Sequence, residues 1–349
     1  MITLGVDAHK RTHTIVAVDP NGRQLASKTI TTTTKEHLGL LTWAEQLAKG
    51  NGLLWAIEDC RHLSRRLERD LLAAGQSIVR VPPKLMAHVR DSARTYGKSD
   101  PIDALAVARA AQREPDLPTA RLDGPDRDVR LLGDHRESLV AERTRAINRL
   151  RWYLHELDPS WEPKARSLDR LAVLDKVSAH LDPLTGTVVR LARGLLDRCR
   201  ALTEQINELT EEITTLVADM APSLIAIPGC GAITAAKILG ETAGVDRFRS
   251  KDAYARHNGT APMPVWSSNR ARHRLSRTGN RQLNAALHRI ALTQAHWHEP
   301  AKQMMERRKA GGDSGMEALR VLKRRLSDVV YAALRTDPTL PHAESDSSH

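Results

Sequence analysis

Ile2-Thr3-Leu4-Gly5-Val6-Asp7 reads as a short apolar strand that ends on an acid, with His9-Lys10 just beyond it. Thr12–Val18 follows as an alternating strand carrying Ile15 and Val18, Pro20-Asn21-Gly22 makes a turn, and Gln24–Thr31 continues. Leu53-Leu54-Trp55-Ala56-Ile57 is a second apolar run and ends on Glu58. Arg61–Ala74 reads as a helix from Leu63, Leu67 and Leu71, four apart, and Ser77–Val81 is a fifth strand stopped by Pro82-Pro83. Three strands followed by helix-linked strands is the order of a ribonuclease-H-like α/β fold.

Asp7 and Glu58 each close a strand, while Asp100 and Asp103 open a helical stretch and, three apart, share one helix face. Carboxylates suit Mg²⁺. Two such ions about 4 Å apart can activate an attacking oxygen and stabilise a leaving one. Each acid also has a plain structural role. Asp100-Pro101-Ile102-Asp103 is a good helix start, with Asp100 as N-cap. Asp7 could end a strand at a turn, and Glu58 could be a surface acid beside Asp59. A capping acid can still face a cleft, and the four together favour a Mg²⁺ site.

The chain of 349 residues carries a net charge of +11 and a pI near 9.9, which suits a polyanionic partner such as nucleic acid. Its length suggests two or three domains. No apolar stretch is long enough for a bilayer and no secretory signal is present, so a cytoplasmic protein is expected. Cys60, Cys199 and Cys230 are scattered, which argues against disulfides and structural zinc. Aromatic residues make up 3%, so the core must be aliphatic and largely helical, without stacking platforms for single strands.

Residues 113–126 read as a linker. A long helix from about Val129 to Leu157 has Arg136, Arg143, Arg145, Arg149 and Arg151 along its polar side, and the last four are expected to bind nucleic acid. A second long helix places Leu195, Cys199, Leu202, Ile206, Leu209, Ile213, Leu216 and Met220 at alternating steps of four and three, an a/d seam. That seam serves equally an intrachain hairpin with the preceding helix or a dimer contact. The expected division is 1–125, 126–221 with coiled-coil character, a mostly α unit 222–335, and a disordered tail 336–349.

Between Trp266 and Arg281 lie Arg270, Arg272, Arg274, Arg277 and Arg281 with no acid, a composition that binds phosphates. Ser267 and Ser268 sit just upstream. From composition this segment reads first as a positive loop that holds a nucleic-acid backbone, with Ser267 a solvated turn residue. A hydroxyl beside arginines is also placed to attack a phosphodiester. Further back, Ile227-Pro228-Gly229-Cys230-Gly231 reads as a tight turn between two helices. Gly229 and Gly231 could let backbone amides meet a phosphate, or simply make a corner.

These pieces together resemble the insertion-sequence-110 family of transposases, the DEDD recombinases guided by a bridge RNA. Gly5-Val6-Asp7-Ala8-His9-Lys10, Ile57-Glu58 and Lys98-Ser99-Asp100-Pro101-Ile102-Asp103-Ala104 match the family's acids. Ile227-Pro228-Gly229 opens its transposase domain, and Asn258-Gly259-Thr260-Ala261-Pro262 and Leu275–Leu283 frame its serine. Counting from Pro262 gives Ser267 as that serine, with Ser268 where a glycine usually stands, so both hydroxyls stay in view. The resemblance implies a RuvC-like first domain, a coiled-coil middle and a helical transposase domain. It also implies a composite site of acids, Mg²⁺ and serine, a 5′-phosphoserine link to donor and target DNA, a noncoding guide RNA, and a homo-oligomer. Two other activities compete with it: a metal-dependent junction resolvase in which water attacks, and a catalytically dead nucleic-acid binder.

Overall fold

The computed structural model describes residues 1–59, 63–83, 85–86, 99–114, 117–121, 124–267, 270–275 and 279–337. Ser268, Arg277, Cys60 and nearly all of the expected tail lie outside them. Contacts divide the chain into two units: Met1–Gly124 with Ile227–Gly229 and the chain from Gly244, and Pro125–Ala226 with Cys230–Ala243.

The first unit is built on a five-stranded sheet: β1 (Ile2–Ala8), β2 (Thr12–Val18), β3 (Gln24–Thr31), β4 (Leu53–Glu58) and β5 (Ile78–Val81). Their order is β3-β2-β1-β4-β5. The first three pair antiparallel and the last two join β1 in parallel, the mixed sheet expected from the strand order. Parallel neighbours need crossovers, supplied by α1 (Thr34–Ala48) and α2 (Arg65–Ala73). The helix expected from Arg61 starts at Arg65, and Leu63 is 41% exposed, so it falls off the apolar face. Part of the expected linker joins the sheet edge: Thr119 bridges Val79, and Arg80 N–H donates to Pro118 O.

Every residue of β1 is buried because both faces of the sheet are covered. Leu4 and Val6 pack with Leu40, Ala44, Leu67 and Leu71 on the α1/α2 side. On the other face lies α3 (Asp100–Arg113), whose Ala104 and Ala108 meet Val16 and Val18, and whose Ala106, Val107 and Ala110 meet Ala56 and Val81. The small side chains let α3 come very close. A Cβ at Gly5 would lie 2.0 Å from Ala104 O and 2.5 Å from Ala108 N. Gly5→Ala should therefore force helix and strand apart, at a cost of roughly 3 kcal/mol. A urea midpoint unchanged from wild type would contradict this contact.

The second unit contains two long helices, α4 (Pro125–Leu157) and α6 (Thr187–Met220), with α5 (Leu171–Leu181) between them in sequence. α4 and α6 run antiparallel. Leu139 packs with Leu202 and Ile206, while Ala146, Leu150 and Leu154 pack with Ala192, Leu196 and Cys199. The seam of α6 is thus occupied within the chain. Of the expected seam, Cys199, Leu202, Ile206 and Ile213 are buried and Leu195 and Leu209 pack against the core, while the stripe also takes in Leu196, Thr203 and Val217. Thr203 and Thr210 supply polar links there: Arg143 Nη1 donates to Thr203 Oγ1 at 3.1 Å and Arg136 Nε to Thr210 Oγ1 at 2.7 Å. The short α7 (Pro222–Ile225) and α8 (Ala232–Thr242) follow, and Lys237 on α8 reaches Asp134 and Glu137 on α4 at 3.0 and 2.8 Å.

The remainder of the first unit holds a 3₁₀ turn (Val245–Arg247), α9 (Lys251–His257), a hairpin of β6 (Pro262–Ser267) and β7 (Arg270–Leu275), and α10 (Arg281–Trp297), α11 (Glu299–Ala310) and α12 (Gly315–Thr336). The segment read as a positive loop is this antiparallel hairpin, with Ser267 opposite Arg270 and Pro262 opposite Leu275. Pro262 and Pro264 lack N–H groups, which a two-stranded ribbon tolerates because its outer edges are unpaired. No helix among the described residues is long and apolar enough to cross a membrane.

Candidate active site

The approach of α3 to Gly5 decides where its acids go. Gly5 and Asp7 lie on the same face of β1, two residues apart. Ala108, Ala104 and Asp100 step back along one face of α3 by four residues each. With Ala104 and Ala108 against Gly5, the helix N-terminus must overhang the next outward position of the strand, Asp7. Asp7 is 5% exposed and Asp103 8% exposed. Ser99, not Asp100, is the N-cap residue, and Asp100 lies inside the first turn with Pro101 behind it. Asp100 is therefore released from capping and stands exposed beside Asp7. Glu58, the last residue of β4, comes one position after Ile57, which pairs with Val6, so it lies at the strand end alongside Asp7. Glu58 is half-buried and has an interaction partner of its own.

His9, to which sequence reading assigned no role, joins this group. Its Nε2 lies 3.2 Å from Asp7 Oδ2 and 3.4 Å from Asp100 Oδ1. One ligand atom from each of Asp7, His9 and Asp100 falls within a 4.8 Å cluster. Its signal in the sequence was spacing: two residues beyond Asp7, it returns to the same side of an extended chain. Burial raises the pKa of Asp7 above the ordinary carboxylate value; His9 opposes this, and Asp103 and Asp100 add to the rise. A buried carboxylate crowded by two others, offset by one imidazole, is a site short of positive charge. Its oxygen-rich donor set fits a hard divalent cation.

The other expected site residues are spread over the chain. Ser267 ends β6, and Arg270, Arg272 and Arg274 occupy every second position of β7. Arg281 is exposed at the start of α10. On α4, Arg143 is engaged with Thr203, and Arg151 pairs with Glu162 at 3.0 Å, whereas Arg145 and Arg149 are exposed. Gly229 has φ +83°, and a Cβ there would lie 3.0 Å from Thr293 Cβ on α10, so it serves close packing. Gly231 is the N-cap of α8 with open space around it. Burial pushes the Cys230 thiol between them up to about 12.

Both halves of the chain match models of transposases, enzymes of DNA recombination. Residues 4–159 match a DEDD transposase family model described as Transposase, and residues 221–306 match the Transposase IS116/IS110/IS902 family. The chain is a member of the IS110 family of transposases. It is 28% identical to the insertion element IS116 uncharacterized 44.8 kDa protein of Streptomyces clavuligerus, over 96% of this chain and 94% of that one. It is also 28% identical to the insertion element IS900 uncharacterized 42 kDa protein of Mycobacterium paratuberculosis, over 95% of each. Among solved structures, T. thermophilus RuvC in complex with a Holliday junction substrate is similar over 32% of this chain and 91% of that one, at 13% identity and a TM-score of 0.25.

Proposed function

We propose that this transposase cuts and rejoins DNA through a covalent Ser267–phosphate intermediate, with Mg²⁺ held by Asp7, Glu58, Asp100 and Asp103 and with donor and target chosen by a noncoding RNA. The observation that carries the metal site is the return of α3 over Gly5, which brings Asp100 and Asp103 to Asp7. Before a cation arrives, His9 Nε2 holds the Asp7 and Asp100 carboxylates toward one point. Bound there, a divalent cation supplies Lewis-acid polarisation of a phosphodiester and charge stabilisation of its oxygens.

The chain's own groups do the rest. Ser267 Oγ attacks phosphorus; the Oγ–P bond forms as the P–O3′ bond breaks, and the hydroxyl proton passes, directly or through water, to the departing 3′ oxygen. A 3′-hydroxyl from another strand then attacks the phosphoserine and releases the serine, so no outside energy source is needed. Arg270, Arg272, Arg274, Arg277 and Arg281 hold the neighbouring phosphates; separately, in the other unit, Arg145, Arg149 and the Gly231 end of α8 offer contacts to nucleic-acid backbone. Sequence choice by base pairing agrees with a protein rich in arginine and poor in aromatic residues. Acids and serine come from distant parts of the chain, which allows two copies to complete one site in a homo-oligomer.

The full chain mixed with nicked DNA and Mg²⁺ should give a denaturant-resistant protein–DNA adduct with a free 3′-hydroxyl. Cleavage without an adduct would overturn the serine intermediate in favour of attack by water. Recombination that survives ribonuclease treatment of the purified complex would overturn the guide.

A further inference from the structure

Lys323 on α12 is 7% exposed, yet among the described residues it meets no carboxylate. Its Nζ donates to Asn284 Oδ1 on α10 at 2.6 Å. Acids are at hand, Asp252 on α9 and Asp328 on α12, but neighbouring Arg324 takes both, at 2.6 Å and 2.5 Å. A buried cation without an anion is costly, and an amide oxygen offsets only part of that cost.

The surroundings deepen the deficit. Arg320 is one turn earlier on α12 and exposed; His288 is one turn beyond Asn284 on α10 and half-buried. Neither has a hydrogen-bond or ion-pair partner among the described residues. Burial and then Arg320 lower the pKa of Lys323, and burial and then Lys323 lower that of His288. Three basic side chains therefore grade from solvent to interior with no acid among them.

They stand at the foot of the β6–β7 hairpin. Asn284 Nδ2 donates to Asn258 O at 2.9 Å. The Asn258 side chain donates to Ser327 Oγ at 2.8 Å, one turn beyond Lys323, and accepts from Thr260 N and Oγ1. The two ends of the hairpin touch here, since a Cβ at Gly279 would lie 2.3 Å from Gly259 N. We propose that Lys323, His288 and Arg320 form a binding site for one backbone phosphate of the bound nucleic acid, at the foot of the hairpin that carries Ser267. The inference rests on nucleic acid being the partner and is independent of which atom attacks.

The full chain is titrated with a short fluorescent random-sequence DNA duplex, and separately with RNA of the same length, across a salt series. Lys323→Met should melt a few degrees above wild type, because an uncompensated buried charge is gone, yet bind several-fold more weakly. Its slope of log affinity against log salt should be shallower by about 1, the loss of one phosphate contact. Exposed Arg320→Gln, which carries little folding risk, should also weaken binding and flatten the slope. Loss confined to one probe supports the site and assigns the phosphate to that nucleic acid. Unchanged affinity and slope for both probes in folded Arg320→Gln and Lys323→Met would overturn the proposal. Failure of wild type to bind either probe at low salt would instead overturn the nucleic-acid reading beneath it.

Discussion

A Ser267→Ala chain should form no covalent DNA adduct and should lose strand exchange by roughly 10⁶-fold, the order expected when a nucleophile is removed from an enzyme. On the Ser267 assignment, the variant lacks the oxygen that forms the Oγ–P bond. DNA affinity should stay near wild type, because the arginines of β7 and α10 are untouched and phosphate contacts set most of the binding energy. Adduct yield on denaturing gels and affinity by fluorescence anisotropy separate the two effects. The neighbouring hydroxyl is the internal control. Ser268→Ala should keep adduct formation; if it is the dead variant and Ser267→Ala the active one, the nucleophile lies one residue further on.

Asp7→Asn should lower metal-dependent cleavage by roughly 10³-fold or more while making the metal-free fold more stable by about 1 kcal/mol. The opposite signs follow from burial. Asp7 is enclosed by the strand and by α3, and its pKa is raised. A carboxyl with a raised folded pKa holds its proton more tightly in the folded state. Its contribution is therefore fully present at low pH and is lost as pH climbs from about 4 through the raised value. In thermal melts, wild type without metal should lose stability across that window and Asp7→Asn should not. Adding Mg²⁺ should restore the wild type and leave the variant unmoved. A variant that melts lower than wild type at neutral pH without metal, or one that Mg²⁺ still stabilises, would show that Asp7 carries no uncompensated charge.

The sheet was legible because β1 and β4 are apolar runs with hard stops and β2 and β3 flank a Pro-Asn-Gly turn, and the acids because they close those runs or open a helix. What the sequence hid has physical reasons. α1 buries His37, Leu40, Ala44 and Ala48, a stripe with one strong apolar residue, so its period is faint. The β6–β7 hairpin carries two prolines on one strand and arginine at alternate positions on the other, a pattern that reads as a loop. The α6 seam was legible at Cys199, Leu202, Ile206 and Ile213, whereas its buried Thr203, bonded to Arg143, was not, because threonines do not register in an apolar count. His9 was in view but has no meaning until α3 delivers Asp100 to it.

Asp7 precedes its partners by some distance along the chain, and the helix that brings Asp100 and Asp103 to it is made only after four further strands. A prematurely terminated product ending before Asp100 would hold the first two acids and lack the others. The close passage of α3 over Gly5 therefore joins early and late parts of the chain: the proposed cation site is complete only once the polypeptide has doubled back on its first strand.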